Sequence, residues 1–387
     1  MYINLTRSLS LLLVFTLINS LSSFSQSSRK KKYVVNGYVG GYRGTPVNID
    51  EIDANKLTHI NYAFVNCIDS MAVLSNLKTD TINFRLLNQL KKVNPDLQIL
   101  ISIGGWTWSK NFSDAVLTPT SRVLFAKTSV DILRQHNLDG VDIDWEYPGQ
   151  RGDNNKFRPE DKVNFTLMFV ELRKELDKLS AETGKKYLLT AALGASKNFI
   201  ANTEMDKVAK LLDYVYLMTY DFGGPNGTVG HHTNLYSYGP DGKSSSADQA
   251  IRDFIAAGVP ANKLGIGVAF YGKAVDAASV ENNGLGQERV RPVAGTPAAS
   301  AGQAGGYTKL KESVINQNGY TRYWDKQAQA PYLFNPEKKV FITYDDEKST
   351  RLKAKYVKKH KLAGVFFWEY FSDPKEHLLN VLDKTLN

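Results

Sequence analysis

Asp139-Gly140-Val141-Asp142-Ile143-Asp144-Trp145-Glu146-Tyr147-Pro148-Gly149 is the stretch from which the fold follows. Read as a β-strand, it places Val141, Ile143 and Trp145 on one face and Asp142, Asp144 and Glu146 on the other, because side chains alternate along a strand. Successive acids then stand roughly 6–7 Å apart. A solvated strand face more often mixes Lys, Thr and Ser among its acids, since like charges in a row repel. Glu146-Tyr147-Pro148-Gly149 stops the strand and begins a loop. If such a row is buried, its members share a proton and at least one carboxyl titrates high. A carboxyl of that kind can act as a general acid near neutral pH.

The flanking sequence repeats a strand–helix pattern. Short apolar, β-branched runs at 33–40, 57–65, 97–103, 188–193, 214–220, 264–271 and 364–368 join the acid stretch to give eight strands. Apolar residues at helical spacing fill 84–93, 123–138, 164–179, 205–212, 247–257, 349–357 and 377–386. Near-continuous apolar strands alternating with helices predict an α/β fold, a (β/α)8 TIM barrel rather than an open doubly wound sheet. Two segments break the rhythm. Residues 226–243 form a long loop rich in Gly, Asn, Tyr and His. Residues 272–343, between the seventh strand and the seventh helix, are too long for a plain loop. They contain a Gly/Ala/Pro-rich part at 295–306, a helical run at 310–315 and strand-like pieces at 320–324, 331–334 and 339–343. Together these predict a small α+β insertion subdomain, leaving 33–271 and 344–387 as the catalytic barrel.

Residues 1–26 read as a secretory signal: Arg7 precedes the apolar run 11–18, and a Ser-rich stretch follows. The run is short for a permanent membrane anchor. Residues 27–32 form a basic tail ending in Arg29-Lys30-Lys31-Lys32. With Arg7 these supply five charges of the formal net +9, so the folded part is only mildly basic and no nucleic-acid partner is expected. Cys67 is the single cysteine, so no intramolecular disulfide is possible, and it reads as a core side chain. No zinc-type cluster or phosphate loop is present. The adjacent His231 and His232 read as loop residues, and neither a metal nor a cofactor is expected.

Asp139-Gly140-x-Asp142-x-Asp144-x-Glu146 resembles the signature of family 18 glycoside hydrolases, the chitinases and their relatives, at every fixed position. Ser102-x-Gly104-Gly105, Met218-x-Tyr220-Asp221 and Trp368 fall where that family places its active-site residues, at the carboxyl ends of barrel strands. The resemblance implies a secreted, monomeric chitinase cleaving β-1,4-linked N-acetylglucosamine polymers with retention and substrate assistance. Glu146 would be the proton donor, Asp144 would orient the substrate acetamide, Asp142 would share a proton with Asp144, and Tyr220 would bond the acetamide carbonyl. Tyr38, Phe64, Ser102, Gly105, Trp106, Tyr147, Met218, Asp221, Tyr271 and Trp368 would form the substrate site, with Tyr38 and Ser102 lying deeper and supporting Asp142. Trp106, Trp108 and Trp368 are candidate platforms for sugar rings, and Trp324 a candidate groove wall. A chitin-binding lectin and an endo-β-N-acetylglucosaminidase on the same barrel are the alternatives, but lectin relatives typically lack the acid that Glu146 supplies. Where the family often has Tyr-Gly-Arg, this chain has Tyr271-Gly272-Lys273. A lysine cannot make a planar two-donor contact, which argues against Lys273 as a substrate or aspartate contact.

Overall fold

The computed structural model describes residues 33–239, 241–290 and 302–387. The signal-like segment, the basic tail and most of the Gly/Ala/Pro-rich stretch lie outside the described residues. Eight parallel strands close into a barrel: β1 (Val34–Gly40), β2 (His59–Ile68), β3 (Gln98–Gly104), β4 (Gly140–Asp144), β5 (Leu188–Gly194), β6 (Tyr214–Met218), β7 (Leu264–Ala269) and β8 (Gly364–Trp368). Each pairs with its neighbours in chain order, and β8 and β2 both pair with β1, which closes the ring. This is the (β/α)8 architecture, with helices packed around the strands.

Local chemistry fixes the helix ends. Helix Pro119–His136 starts with Thr118 as N-cap, Pro119 in the first turn and a reciprocal Thr118–Ser121 capping box. It ends at Asn137 in the left-handed conformation (φ 52°). Asp139, fully buried, then pins the entry to β4. Its carboxylate accepts from the Ile99 amide at 2.6 Å and pairs with Lys91 at 2.6 Å and with Lys185. Helix Asp161–Thr183 turns Phe165, Phe169, Leu172, Leu176 and Leu179 inward, the spacing of one helical face.

Between β7 and helix Glu347–His360 the chain builds a second sheet. Its strands run Gly302–Gly306, Tyr271–Asp276, Val340–Thr343, Ala330–Asn335 and Thr321–Asp325 in spatial order, all antiparallel. A short helix, Tyr307–Ser313, follows strand Gly302–Gly306 as the chain crosses to the opposite edge strand, Thr321–Asp325. Tyr271, read from sequence as the end of the seventh strand, is the first residue of this sheet instead. β7 loses its barrel partners at Ala269, which pairs with Trp368. Among its described residues the loop at 226–243 carries one short 3-10 turn, Pro225–Gly227, near its start.

Phe169 shows what the outer layer contributes. It is fully buried and meets Phe165 edge-on with ring centroids 4.9 Å apart. Phe169→Ala leaves a cavity costing about 3–5 kcal/mol. Urea unfolding should therefore show a lower midpoint, and an unchanged midpoint would contradict this packing.

Candidate active site

The acids predicted to alternate on one face do so, but the strand ends sooner than the motif. β4 pairs with β3 as far as Gly104 and Asp144, and with β5 as far as Ile143 and Ala191. Glu146 lies beyond both ladders, although the alternation persists: Trp145 is buried against Phe112 while Glu146 reaches the cleft. Gly104 permits the chain to leave β3 here. Its φ is +112°, and a Cβ would stand 2.2 Å from the Asp144 carbonyl.

At the bottom of the row, Asp142 is fully buried. It accepts from Tyr38 Oη at 2.7 Å, Ser102 Oγ at 2.8 Å and Thr190 Oγ1 at 2.6 Å. Burial pushes its carboxyl up, and the three hydroxyls pull it part of the way back. Asp144 is equally enclosed, and its Oδ1 has no hydrogen-bond partner among the described residues. Burial, then the charges of Glu146 and Asp142, hold it well above the usual carboxylate range. Glu146 is 8% exposed. Burial raises it to about 7, with the Tyr147 side chain opposing and Asp221 adding to the rise.

These groups open onto a cleft of about 970 Å³, roomy enough for a ligand larger than one sugar ring. Phe64, Trp106, Asp144, Glu146, Tyr147, Met218, Tyr220, Asp221, Tyr271 and Trp368 line it. Trp108 does so too. Tyr38, Ser102 and Asp142 are not on its wall; they form the layer beneath. Gly105 is also behind the wall, close against the Phe64 ring, and Gly104 lines the cleft in its place. Aromatic rings form much of the surface: Phe64 and Tyr42 stack on Trp368, at 5.4 and 6.2 Å between centroids. Trp106 stands at the rim, 52% exposed, with Tyr147 edge-on at 6.3 Å. Trp324 is elsewhere, covered by Lys348 Nζ at 3.7 Å from its ring centre and by the Arg322 guanidinium.

Lys273 departs from its sequence reading. Its Nζ lies 2.7 Å from Asp221 Oδ1. A single carboxylate oxygen needs only one donor, so an ammonium suffices where a planar fork was thought necessary. Tyr271 Oη donates to the same oxygen, and His232 Nδ1 lies 3.5 Å from it. Burial works against the Asp221 charge, but His232 and Lys273 outweigh it and hold the carboxyl below the usual range. His232 is buried. Sequence reading passed it over as a loop residue, and no spacing signal ties it to Asp221, eleven positions earlier. Tyr42, Gln150, Phe199, Phe222 and Ser245 also line the cleft and carried no motif. No cluster of three potential metal ligands occurs among the described residues.

The arrangement can deliver a proton from Glu146 into a cleft that stacks apolar ring faces. It does so above a buried carboxylate pair that can carry one negative charge between them.

Comparison with known proteins identifies the family. The family model "Glycosyl hydrolases family 18" matches residues 34–373. Chitinase A1 of Niallia circulans is 37% identical over 92% of this chain, which spans 58% of that protein's length. Chitotriosidase-1 of Mus musculus is 33% identical over 82% of this chain and 67% of its own. A solved family 18 N-acetylglucosaminidase from Paenibacillus barengoltzii superposes with a TM-score of 0.83 at 42% identity, covering 91% of this chain and 99% of that one. Matched from β1 through β8 and across the acid row, the chain belongs to glycosyl hydrolases family 18.

Proposed function

We propose that this protein is a chitinase. It hydrolyses β-1,4 linkages between N-acetylglucosamine residues, retaining the anomeric configuration, and acts outside the cytoplasm. The observation that carries the reading is Glu146: a nearly buried carboxyl held at about 7 and facing an aromatic cleft. The chitinases among its relatives support the substrate class. The signal-like residues 1–26 support export, and no helix among the described residues is long and apolar enough to cross a membrane. The antiparallel second sheet supports a catalytic barrel (33–271 and 344–387) carrying an α+β insertion at 272–343.

In this reading Glu146 gives its proton to the glycosidic oxygen as the bond to the anomeric carbon breaks. The carbonyl oxygen of the substrate's own acetamide closes on that carbon and forms an oxazolinium ring. Asp144, one of whose oxygens has no partner among the described residues, accepts a hydrogen bond from the acetamide N–H and balances the developing positive charge. Tyr220 Oη donates to the acetamide carbonyl. Asp142 takes up the proton it shares with Asp144 as that charge develops, and is itself fixed by Tyr38, Ser102 and Thr190. Glu146, now a carboxylate, takes a proton from water as that water opens the ring, which restores the acid and gives the retained anomer. The aromatic walls stack the flanking sugars, with Trp368 central among them.

Glu146→Gln cannot donate a proton, so turnover of N-acetylglucosamine oligomers should fall by about 10²–10⁴-fold. Their dissociation constant should stay close to that of the native protein. Near-native hydrolysis by this variant would refute the assignment. The sign of the pH response follows from the same group. Glu146 is active when protonated, so kcat/KM should fall as pH rises through about 7. A kcat/KM that holds level well above that point would contradict it.

A further inference from the structure

Glu146 stands past the end of both ladders that flank β4, yet its backbone amide is buried. A buried N–H without an acceptor costs as much as a lost hydrogen bond, so something outside the sheet must supply one. Ser109 does. It begins the short turn Ser109–Asn111 that follows β3, and it is fully buried. Its Oγ accepts from the Glu146 amide at 2.9 Å. The same oxygen lies 2.8 Å from the Gly105 carbonyl and 3.0 Å from the Asp144 carbonyl, and its single proton serves one of them at a time. Three residues on, Phe112 stacks on Trp145 at 5.2 Å and 13°. The turn therefore grips the chain from both sides: a hydroxyl holds the backbone of 144–146, and a ring holds the side chain between the two acids.

We propose that Ser109 is a positioning residue for Glu146. It does not line the cleft, and its side chain meets the backbone of Glu146 rather than the carboxyl. It fixes the Cα from which the Glu146 carboxyl is aimed, where the sheet can no longer do so. Misplacing a reacting group by about 1 Å can cost on the order of 10²-fold in rate, so the loss of one backbone anchor should be visible in catalysis. The inference rests on the reading of Glu146 as the acid.

The test is Ser109→Ala beside Ser129→Ala. Ser129 is another fully buried serine, bonded to the Phe125 carbonyl within helix Pro119–His136. Thermal melting and steady-state kinetics on N-acetylglucosamine oligomers are measured for both. Ser109→Ala should lower kcat by about tenfold or more with KM held within about twofold, and should displace the alkaline limb of the rate profile. Ser129→Ala should match its melting temperature without either kinetic change. If Ser109→Ala keeps native kcat and the native limb, or loses rate only as Ser129→Ala does, the proposal is overturned. Should the alanine variant not accumulate, Ser109→Cys keeps the volume and weakens the acceptor; an intermediate rate loss supports the proposal and native kinetics overturn it. Glu146→Gln separates the two levels. Native turnover in that variant refutes the acid itself, whereas an inactive Glu146→Gln beside a native Ser109→Ala refutes only the positioning role.

Discussion

Three enclosed carboxylates, two on β4 and one just past its end, are the constraint on which the rest of this molecule depends. Ionised together in a low-dielectric setting, Asp142, Asp144 and Glu146 would repel one another and forfeit their hydration. The fold resolves the conflict unequally. Asp142 receives three hydroxyl donors and can carry charge. Asp144 has no donor to its Oδ1 among the described residues and sits between two acids, so the shared proton is drawn to it. Glu146 meets the cleft and holds its proton to about 7. A graded row of this kind provides an acid facing the cleft and a stabilising carboxylate below it from three chemically similar side chains.

The barrel makes such a row tolerable. Closing β1 against both β2 and β8 leaves the mouth as the place where strand ends and loops can bring hydroxyls and rings together. Tyr38 comes from β1, Ser102 from β3 and Thr190 from β5, so Asp142 is held by three strands distant in sequence. On the other side, Asp221 is held by Lys273 and Tyr271 from the start of the second sheet and by His232 from the loop after β6. The second sheet thus contributes directly to one wall of the cleft.

Much of this was legible in the sequence because it rests on local pattern. Eight apolar runs, the alternation through 139–149 and the overlong 272–343 segment each follow from periodicity or length, and each has its counterpart in the structure. The acid row could be read because its members sit two apart. What escaped reading depends on contacts between distant segments. His232 faces Asp221 only because the loop after β6 folds back, and Lys273 reaches it only because the chain crosses from β7 into a new sheet. Ser109 looks like any polar turn residue until the ladders beside Glu146 are seen to stop. Trp324 erred in the opposite direction: an aromatic in the insertion suggested a groove wall, but cations cover its ring.

The direct measure of the central claim is the titration of the Glu146 carboxyl itself in the free protein, followed by carbon NMR with glutamate labelled at Cδ and assigned by comparison with Glu146→Gln. The account predicts a midpoint at about 7. A midpoint in the ordinary glutamate range, at about 4.3, would show that the enclosed row does not retain the proton, and would contradict the account.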